Sequence, residues 1–302
     1  MAAPDATDVR TPDGTRIRRW RRGPADAPEA VVFVHGATYG GRAAFDPGGF
    51  SWLDAVAEGG RAAYAIDARG YGDSERPPEL EEPARANGPV VRASTAAPDV
   101  AAALEHLHDA HDALHLVGYS WGTIVAGVAL VECGVAVDSL AQYAPVFRPP
   151  ETHRDRFDEE GQTTAYRRVT REDARRRWAD QRPDDDVPDE AFAAFWDALL
   201  DSGQRVGDDE IVAPSGTLVD LRAAIDAAPY DPGTIDVPTL VVRGSLDTAS
   251  TRGDALGLFD AVGAADATYV EVAGGTHFMQ FEPNCEVLYE VVRGFHDRVG
   301  RG

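Results

Sequence analysis

Short runs of apolar residues alternate along this chain with longer segments whose apolar residues recur at helical spacing. Uninterrupted apolar runs are typical of strands buried on both faces of a sheet. We predict such strands at residues 30–34, 61–66, 113–117, 135–143, 237–242 and 267–272. Helices are predicted between them, near residues 51–59, 98–111, 121–133, 252–262 and 284–299. This alternation favours an α/β fold with a mostly parallel central sheet and helices on both faces.

Two parts of the chain depart from the alternation. Residues 8–20 resemble a hairpin that turns at Pro12-Asp13-Gly14, which predicts antiparallel strands at a sheet edge. Residues 148–230 are rich in Arg and Asp, are too long for an ordinary loop, and show amphipathic helix patterns at 163–180 and 189–202. We therefore predict an inserted helical cap at 148–230, over the C-terminal edge of the sheet. The core domain would comprise residues 1–147 and 231–302.

One stripe in the predicted cap is aromatic. It consists of Phe192, Phe195, Trp196 and Leu199. Helical spacing of this kind first indicates core packing, and only second the lining of a pocket for an apolar acyl group.

The charge of the chain is unusual. It has 51 acidic and 29 basic residues, all of the latter arginine, and a formal net charge of −22. Such a charge repels phosphate backbones and anionic lipids, so we expect no nucleic-acid partner and no membrane docking. It also destabilises the folded chain by self-repulsion unless salt screens it. We hypothesise adaptation to a salt-rich cytoplasm. The alternative is a GC-biased genome, which would favour Arg, Ala, Gly and Asp and explain the missing lysine, but which does not easily explain a net charge of −22.

The sequence predicts a soluble cytoplasmic protein. The N-terminal residues are polar, without the features of a signal peptide, and no apolar stretch is long enough to span a membrane. Cys133 and Cys285 lie far apart, so we expect buried, reduced thiols and no metal site. The oligomeric state stays open.

The motif with the most chemical content is Gly118-Tyr119-Ser120-Trp121-Gly122. It follows a predicted strand and opens a predicted helix, the context that a nucleophilic serine of the G-x-S-x-G type requires. The tight turn projects Oγ from the sheet edge, and the helix N-terminus places free N–H groups beside it. The motif therefore predicts Ser120 as a nucleophile.

A serine nucleophile needs a base, and the base needs a carboxylate to orient it. Asp247 follows the fifth predicted strand, and His277 follows the sixth. Because parallel strands end at one edge of a sheet, we expect both side chains to meet Ser120 there. Asp67 also follows a strand, but a role in shaping its loop and in an ion pair is favoured for it.

The catalytic blocks resemble those of the α/β-hydrolase superfamily. They are His35-Gly36, Asp67-x-Arg69-Gly70-x-Gly72-x-Ser74, Gly118-x-Ser120-x-Gly122, Asp247 and His277. The resemblance implies the α/β-hydrolase fold, with Ser120 as nucleophile, His277 as general base and acid, and Asp247 as its orienting group. It further implies an oxyanion hole formed by the backbone N–H groups of Ala37 and Trp121, and a structural role for His35. No cofactor or metal is implied, and the partner is a small-molecule substrate.

The sequence leaves the substrate open. A serine at position 120 argues against epoxide hydrolases and dehalogenases of this fold, which use aspartate. Proline-releasing aminopeptidases share Gly-x-Ser-Trp-Gly but have His-Gly-Gly-Pro-Gly where this chain has His35-Gly36-Ala37-Thr38-Tyr39. We predict an ester hydrolase for a small or medium acyl group, with peptidase, thioesterase and carbon–carbon hydrolase as alternatives. A ligand receptor on a hydrolase scaffold is the non-enzyme alternative.

Overall fold

The computed structural model describes residues 3–157, 161–183 and 186–300 of the chain. Its strands in chain order are β1 (Asp5–Arg10), β2 (Arg16–Arg22), β3 (Glu29–Val34), β4 (Ala62–Ile66), β5 (Ala113–Tyr119), β6 (Ser139–Tyr143), β7 (Tyr166–Thr170), β8 (Arg205–Val206), β9 (Glu210–Pro214), β10 (Thr239–Gly244) and β11 (Ala267–Val272). Eight of them form a central sheet in the order β1-β2-β4-β3-β5-β6-β10-β11. The pairings of β2 with β1 and β4 are antiparallel and the others are parallel, so the fold is α/β as predicted.

Helices cover both faces of this sheet. In chain order, the α-helices of the described residues are α1 (Gly41–Phe45), α2 (Trp52–Glu58), α3 (Ala93–His108), α4 (Trp121–Glu132), α5 (Arg171–Ala179), α6 (Asp189–Leu200), α7 (Gly216–Asp226), α8 (Arg252–Ala261) and α9 (Cys285–Val299). Side chains of β3 alternate between the faces: Val32 and Val34 pack in the core that includes α3, α4 and α8. Val31 and Phe33 pack on the other side, in the core that includes α2 and α9. A strand buried on both faces therefore reads as a continuous apolar run.

The predicted core elements are all present, with shifted ends. The hairpin is confirmed, and β1 lies at the sheet edge. The helix predicted from residue 98 begins at Ala93, so Pro98 lies inside it. The carboxylate of Asp220 accepts a hydrogen bond of 2.6 Å from the Ala93 N–H, and this distant cap has no local sequence signal.

The segment between β6 and β10 is not built from helices alone. The helix predicted over 163–180 begins only at Arg171, and residues 166–170 form strand β7. Strands β7, β9 and β8 form a small antiparallel sheet in that order. The pairing partners of β7 lie some forty residues away in sequence, so local periodicity could not reveal the strand. The division of the chain into core and cap stays a prediction.

Two further expectations concern the thiols and the membrane. Both cysteines are free, but Cys133 is exposed at the end of α4 and Cys285 is half-buried, so the expected burial is wrong. Among the helices of the described ranges, none combines the length and apolar character needed to cross a bilayer.

Candidate active site

Ser120 lies on the turn between β5 and α4 in a strained backbone conformation, with φ 56° and ψ −124°. Glycines on both sides make the turn possible. A Cβ on Gly122 would lie 2.3 Å from the carbonyl oxygen of Val34, and one on Gly118 would lie 2.7 Å from the carbonyl oxygen of Gly122. The close approach of α4 to β3 therefore excludes any side chain at position 122.

The three side chains predicted to act together meet at the C-terminal edge of the sheet. Nε2 of His277 lies 2.9 Å from Oγ of Ser120, and its Nδ1 lies 2.8 Å from Oδ2 of Asp247. Because a carboxylate only accepts, Nδ1–H donates to Asp247 and leaves Nε2 as the acceptor of the serine hydroxyl. Ser120, Asp247 and His277 are 8%, 4% and 9% exposed, so water competes little with these bonds. This tautomer can remove the hydroxyl proton.

Neighbouring groups hold Asp247 in place. Its Oδ1 accepts the N–H groups of Ala249 and Ser250, both at 2.8 Å. The buried Arg243 donates from Nη2 to the Asp247 carbonyl and from Nε to the Ser250 carbonyl, also at 2.8 Å. The loop after β10 is therefore closed around one arginine, which leaves Oδ2 free to face the imidazole.

The loop of His277 is held from two sides. Its carbonyl accepts the hydroxyl of Tyr119 at 2.8 Å, and its N–H donates to Oε1 of Gln181 at 3.0 Å. Burial raises the pKa of Tyr119 well above its ordinary value, so this hydroxyl keeps its proton. Gln181 comes from the segment between β6 and β10, and it was not predictable from the sequence because an isolated glutamine after a helix has no distinguishing pattern.

The two residues expected to bind an oxyanion both lie close to Ser120. Trp121 is the first residue of α4, and Ala37 lies in the loop after β3, next to Gly36. A Cβ on Gly36 would lie only 3.0 Å from Cβ of Ser120, so this loop passes directly beside the serine. Both residues therefore lie at the site, and their role as oxyanion donors stays a prediction.

His35 supports that loop from the core side. Its Nε2 accepts the N–H of Ala68 at 3.1 Å, so Nδ1 carries the proton and donates to the Gly36 carbonyl at 2.8 Å. Full burial lowers the pKa of His35 to about 4, so the ring is neutral near pH 7. Its contacts are therefore structural.

Side chains from the segment 148–230 reach the site at further points that the sequence did not reveal. Nη2 of Arg167 donates to the Ala37 carbonyl at 2.8 Å. Gln204 is fully buried beside the same loop, and its Nε2 donates to the Thr38 carbonyl at 3.0 Å. The carboxylate of Asp220 accepts Nε1–H of Trp121 at 2.9 Å. These contacts join elements remote in sequence, so no local motif predicts them.

As expected, Asp67 shapes its loop, but it does so by accepting hydrogen bonds from N–H groups and not through an ion pair. It accepts Nε1–H of Trp20 at 2.8 Å and the Gly41 N–H at 2.6 Å. Burial raises the pKa of this carboxyl group to about 6. The ion pair of this loop is instead made by Arg69 with the buried Asp99, at 2.6 Å.

Ser120 and His277 open into a pocket of about 530 Å³. Its lining includes the loop of residues 36–39 together with Thr248, Ala249 and Phe278. Arg156, Arg177 and Asp180 lie at its exposed border. The aromatic stripe of α6 is buried in a separate core with Trp178 and Phe281, so the core-packing interpretation of that stripe is confirmed. Within the described ranges, no three His, Cys, Asp or Glu side chains are grouped so that they could hold a metal ion.

A mostly parallel α/β sheet that brings together a serine on a strained strand–helix turn, an aspartate and a histidine, in that chain order, defines the α/β-hydrolase class of proteins. The sequence profile described as "Alpha/beta hydrolase family" matches residues 31–290. The chain belongs to the alpha/beta hydrolase family.

Solved structures share this fold over nearly the whole chain. An esterase from Exiguobacterium antarcticum is 19% identical with a TM-score of 0.70, over 96% of this chain and 99% of that one. A thermophilic esterase from Thermogutta terrifontis is 15% identical with a TM-score of 0.68, over 98% and 99%. A bromoperoxidase from Bacillus anthracis is 16% identical with a TM-score of 0.68, over 97% and 100%. No significantly similar sequence was found among curated proteins.

Proposed function

We propose that this chain is a serine hydrolase that cleaves carboxylic esters of small or medium acyl groups through an acyl-enzyme intermediate. One observation carries the proposal: the 2.9 Å contact of Ser120 Oγ with an imidazole whose other nitrogen faces a buried carboxylate at 2.8 Å. That chain of hydrogen bonds is what a serine needs to become nucleophilic. The pocket of about 530 Å³ beside it is large enough for a small ester.

In this mechanism His277 accepts the Ser120 proton as Oγ forms a bond with the ester carbonyl carbon. The carbonyl oxygen becomes an oxyanion, which the N–H groups of Ala37 and Trp121 stabilise. The C–O bond to the alcohol breaks as His277 returns the proton to the leaving oxygen. Water, deprotonated by His277, then attacks the acyl group and regenerates Ser120. Asp247 stabilises the transient imidazolium and keeps Nδ1 protonated.

The setting of this activity is also part of the proposal. Residues 148–230 act as a cap that lines one side of the pocket with Arg177 and Gln181. Two free thiols are consistent with the reducing cytoplasm. The substrate is a small molecule, and the esterases of similar fold make ester hydrolysis the leading choice among the chemistries that this site can perform.

The test is hydrolysis of p-nitrophenyl acetate and butyrate in molar salt. Ser120→Ala should lower kcat at least about 10⁴-fold, whereas Ser94→Ala, on an exposed turn of α3, should leave it unchanged. Mass spectrometry of a quenched reaction should find the acyl group on the wild type and not on Ser120→Ala. An unchanged rate in Ser120→Ala would refute the mechanism.

Parallel assays separate the alternatives. Faster turnover of proline p-nitroanilide or of an acyl thioester than of the oxygen ester would reassign the leaving group while keeping the mechanism. Tight binding of esters without turnover would instead support a receptor.

A further inference from the structure

The peptide that would bind the oxyanion is fixed at both ends by side chains. Its N–H belongs to Ala37 and its carbonyl to Gly36, and that carbonyl accepts Nδ1–H of His35 at 2.8 Å. The next carbonyl along the chain, that of Ala37, accepts Nη2 of Arg167 at 2.8 Å and the hydroxyl of Tyr71 at 2.8 Å. The first support comes from the residue that directly follows β3, whereas the second comes partly from β7, outside the central sheet.

Arg167 binds this loop through hydrogen bonds from its planar, charged guanidinium group. Nη2 also donates to Oγ1 of Thr38 at 2.9 Å, and Nη1 donates to the Pro214 carbonyl at 2.8 Å. The guanidinium therefore joins the loop after β3 to the end of β9. Hydrogen bonds from a charged donor are stronger than neutral ones, and the planar fork fixes direction as well as distance.

The loop needs such a support because glycines lie at both of its ends, Gly36 and Gly40. Glycine allows a wider range of backbone angles than any other residue, so the direction of the peptide between Gly36 and Ala37 depends on the hydrogen bonds that hold its two flanking carbonyl groups. Catalysis by an oxyanion hole depends on donors already pointing at the position where charge develops. A small rotation of this peptide would move the Ala37 N–H away from that position.

We propose that Arg167 is a positioning residue, which sets the direction of the Ala37 N–H by holding the Ala37 carbonyl. The segment 148–230 is then part of the catalytic centre as well as a cover over it. This inference rests on the proposed ester hydrolysis, because that reaction forms the oxyanion. It predicts that loss of Arg167 weakens the transition state more than it weakens substrate binding.

The chain offers a matched control in the next residue of the same strand. Arg168 is exposed and pairs with Glu210 on the surface at 3.0 Å. Arg167→Met and Arg168→Met remove the same group from adjacent positions of β7. With p-nitrophenyl butyrate, we expect kcat of Arg167→Met to fall about 10- to 100-fold with KM changed less than about threefold. Arg168→Met should stay within about twofold of the wild type in both.

A second measurement reports the oxyanion directly. A trifluoromethyl ketone adds to the active serine as a charged hemiketal and so resembles the transition state. Its inhibition constant should rise in Arg167→Met by the same factor by which kcat/KM falls, while Arg168→Met should bind it like the wild type. Titration of active serines with a phosphonate corrects every rate for the folded fraction.

Two milder variants test the positioning role of Arg167 if Arg167→Met does not fold. Arg167→Lys keeps the charge but loses the fork. Tyr71→Phe removes the shorter of two hydroxyl donors to the same carbonyl, the other being Thr217 at 3.2 Å. Each should lower kcat about 3- to 10-fold and weaken the trifluoromethyl ketone in proportion.

The inference is overturned if these variants, corrected for folded enzyme, match Arg168→Met in kcat and in inhibitor affinity. A wild type that does not hydrolyse esters or form the acyl-enzyme would instead refute the proposed function.

Discussion

Glu282 offers a test of how strongly the segment 148–230 is joined to the histidine loop. This carboxylate is 2% exposed, and its Oε1 accepts Nε1–H of Trp178 at 2.8 Å, the hydroxyl of Thr276 at 2.6 Å and Nη1 of Arg182 at 3.1 Å. Its Oε2 accepts the Thr276 N–H at 3.0 Å. Thr276 directly precedes His277, so one buried acid connects the histidine loop to the segment 148–230.

Glu282→Gln keeps the shape but replaces one acceptor oxygen by an NH₂ donor. At least one of the four groups that donate to Glu282 then faces the new NH₂ donor, and Arg182 loses its charged partner. A hydrogen bond to a charged group contributes about 1.5–3 kcal/mol, and breaking a fully buried ion pair costs about 3–5 kcal/mol. Because the Arg182 side chain is 20% exposed, water replaces part of that loss. We therefore expect a destabilisation of about 2–4 kcal/mol.

The assay is urea unfolding in molar salt, with Glu290→Gln as the control. Glu290 is exposed on α9 and pairs with Arg293 at 3.8 Å, so its loss should cost less than about 0.5 kcal/mol. The Glu282→Gln effect should persist in molar salt, because buried pairs are screened little. Ester hydrolysis should fall as well, since the His277 loop loses its support. If Glu282→Gln unfolds within about 0.5 kcal/mol of Glu290→Gln, the buried acid does not join the two parts.

Other changes test separate features of the chain. Gly122→Ala places a Cβ against backbone oxygens at 2.3 and 2.5 Å and should destabilise by about 3 kcal/mol or more in thermal unfolding, whereas Gly257→Ala, in open space on α8, should stabilise by about 0.5–1 kcal/mol. Burial lowers the pKa of His35 to about 4, so imidazole NMR should find this ring neutral at pH 5. In the unfolded chain the ring binds a proton near pH 6.5. The contribution of neutral His35 to stability is therefore complete above pH 6.5 and is lost as the pH falls toward 4. With a net charge of −22, the unfolding midpoint should rise between about 0.1 and 2 M KCl, and a constant midpoint would refute salt adaptation. Arg156 and Arg177 border the pocket, so mono-p-nitrophenyl succinate should be preferred over the butyrate ester, and replacing both arginines by Gln should remove that preference; an unaffected ratio would show that neither contacts the acid.

The central sheet and the serine, aspartate and histidine of the site were predictable from sequence, because both depend on local patterns. Apolar runs predicted the parallel strands, and each candidate residue follows such a run directly. Parallel strands end at one edge, so three residues far apart in sequence meet there whatever the loops between them do. The strained turn at Ser120 was also predictable, because Gly118 and Gly122 leave room for a close helix–strand crossing.

The segment 148–230 was less predictable, because its structure depends on partners remote in sequence. Strand β7 pairs with β9, and the first N–H group of α3, that of Ala93, is satisfied by the distant Asp220. Strand β7 is short, polar and at a sheet edge, so it has little apolar pattern of its own. The sequence around it is therefore predicted as part of the neighbouring helical pattern.

The linear chain thus contains the chemistry of the site and the layout of the sheet, both of which are encoded in short motifs and in the periodicity of apolar residues. The contacts of Arg167 with Ala37, of Gln181 with His277 and of Glu282 with Trp178 arise only in the folded molecule. A hydrogen bond acts over about 3 Å between groups that folding brings together, and a single arginine or glutamine has no sequence signal for the partner it will meet.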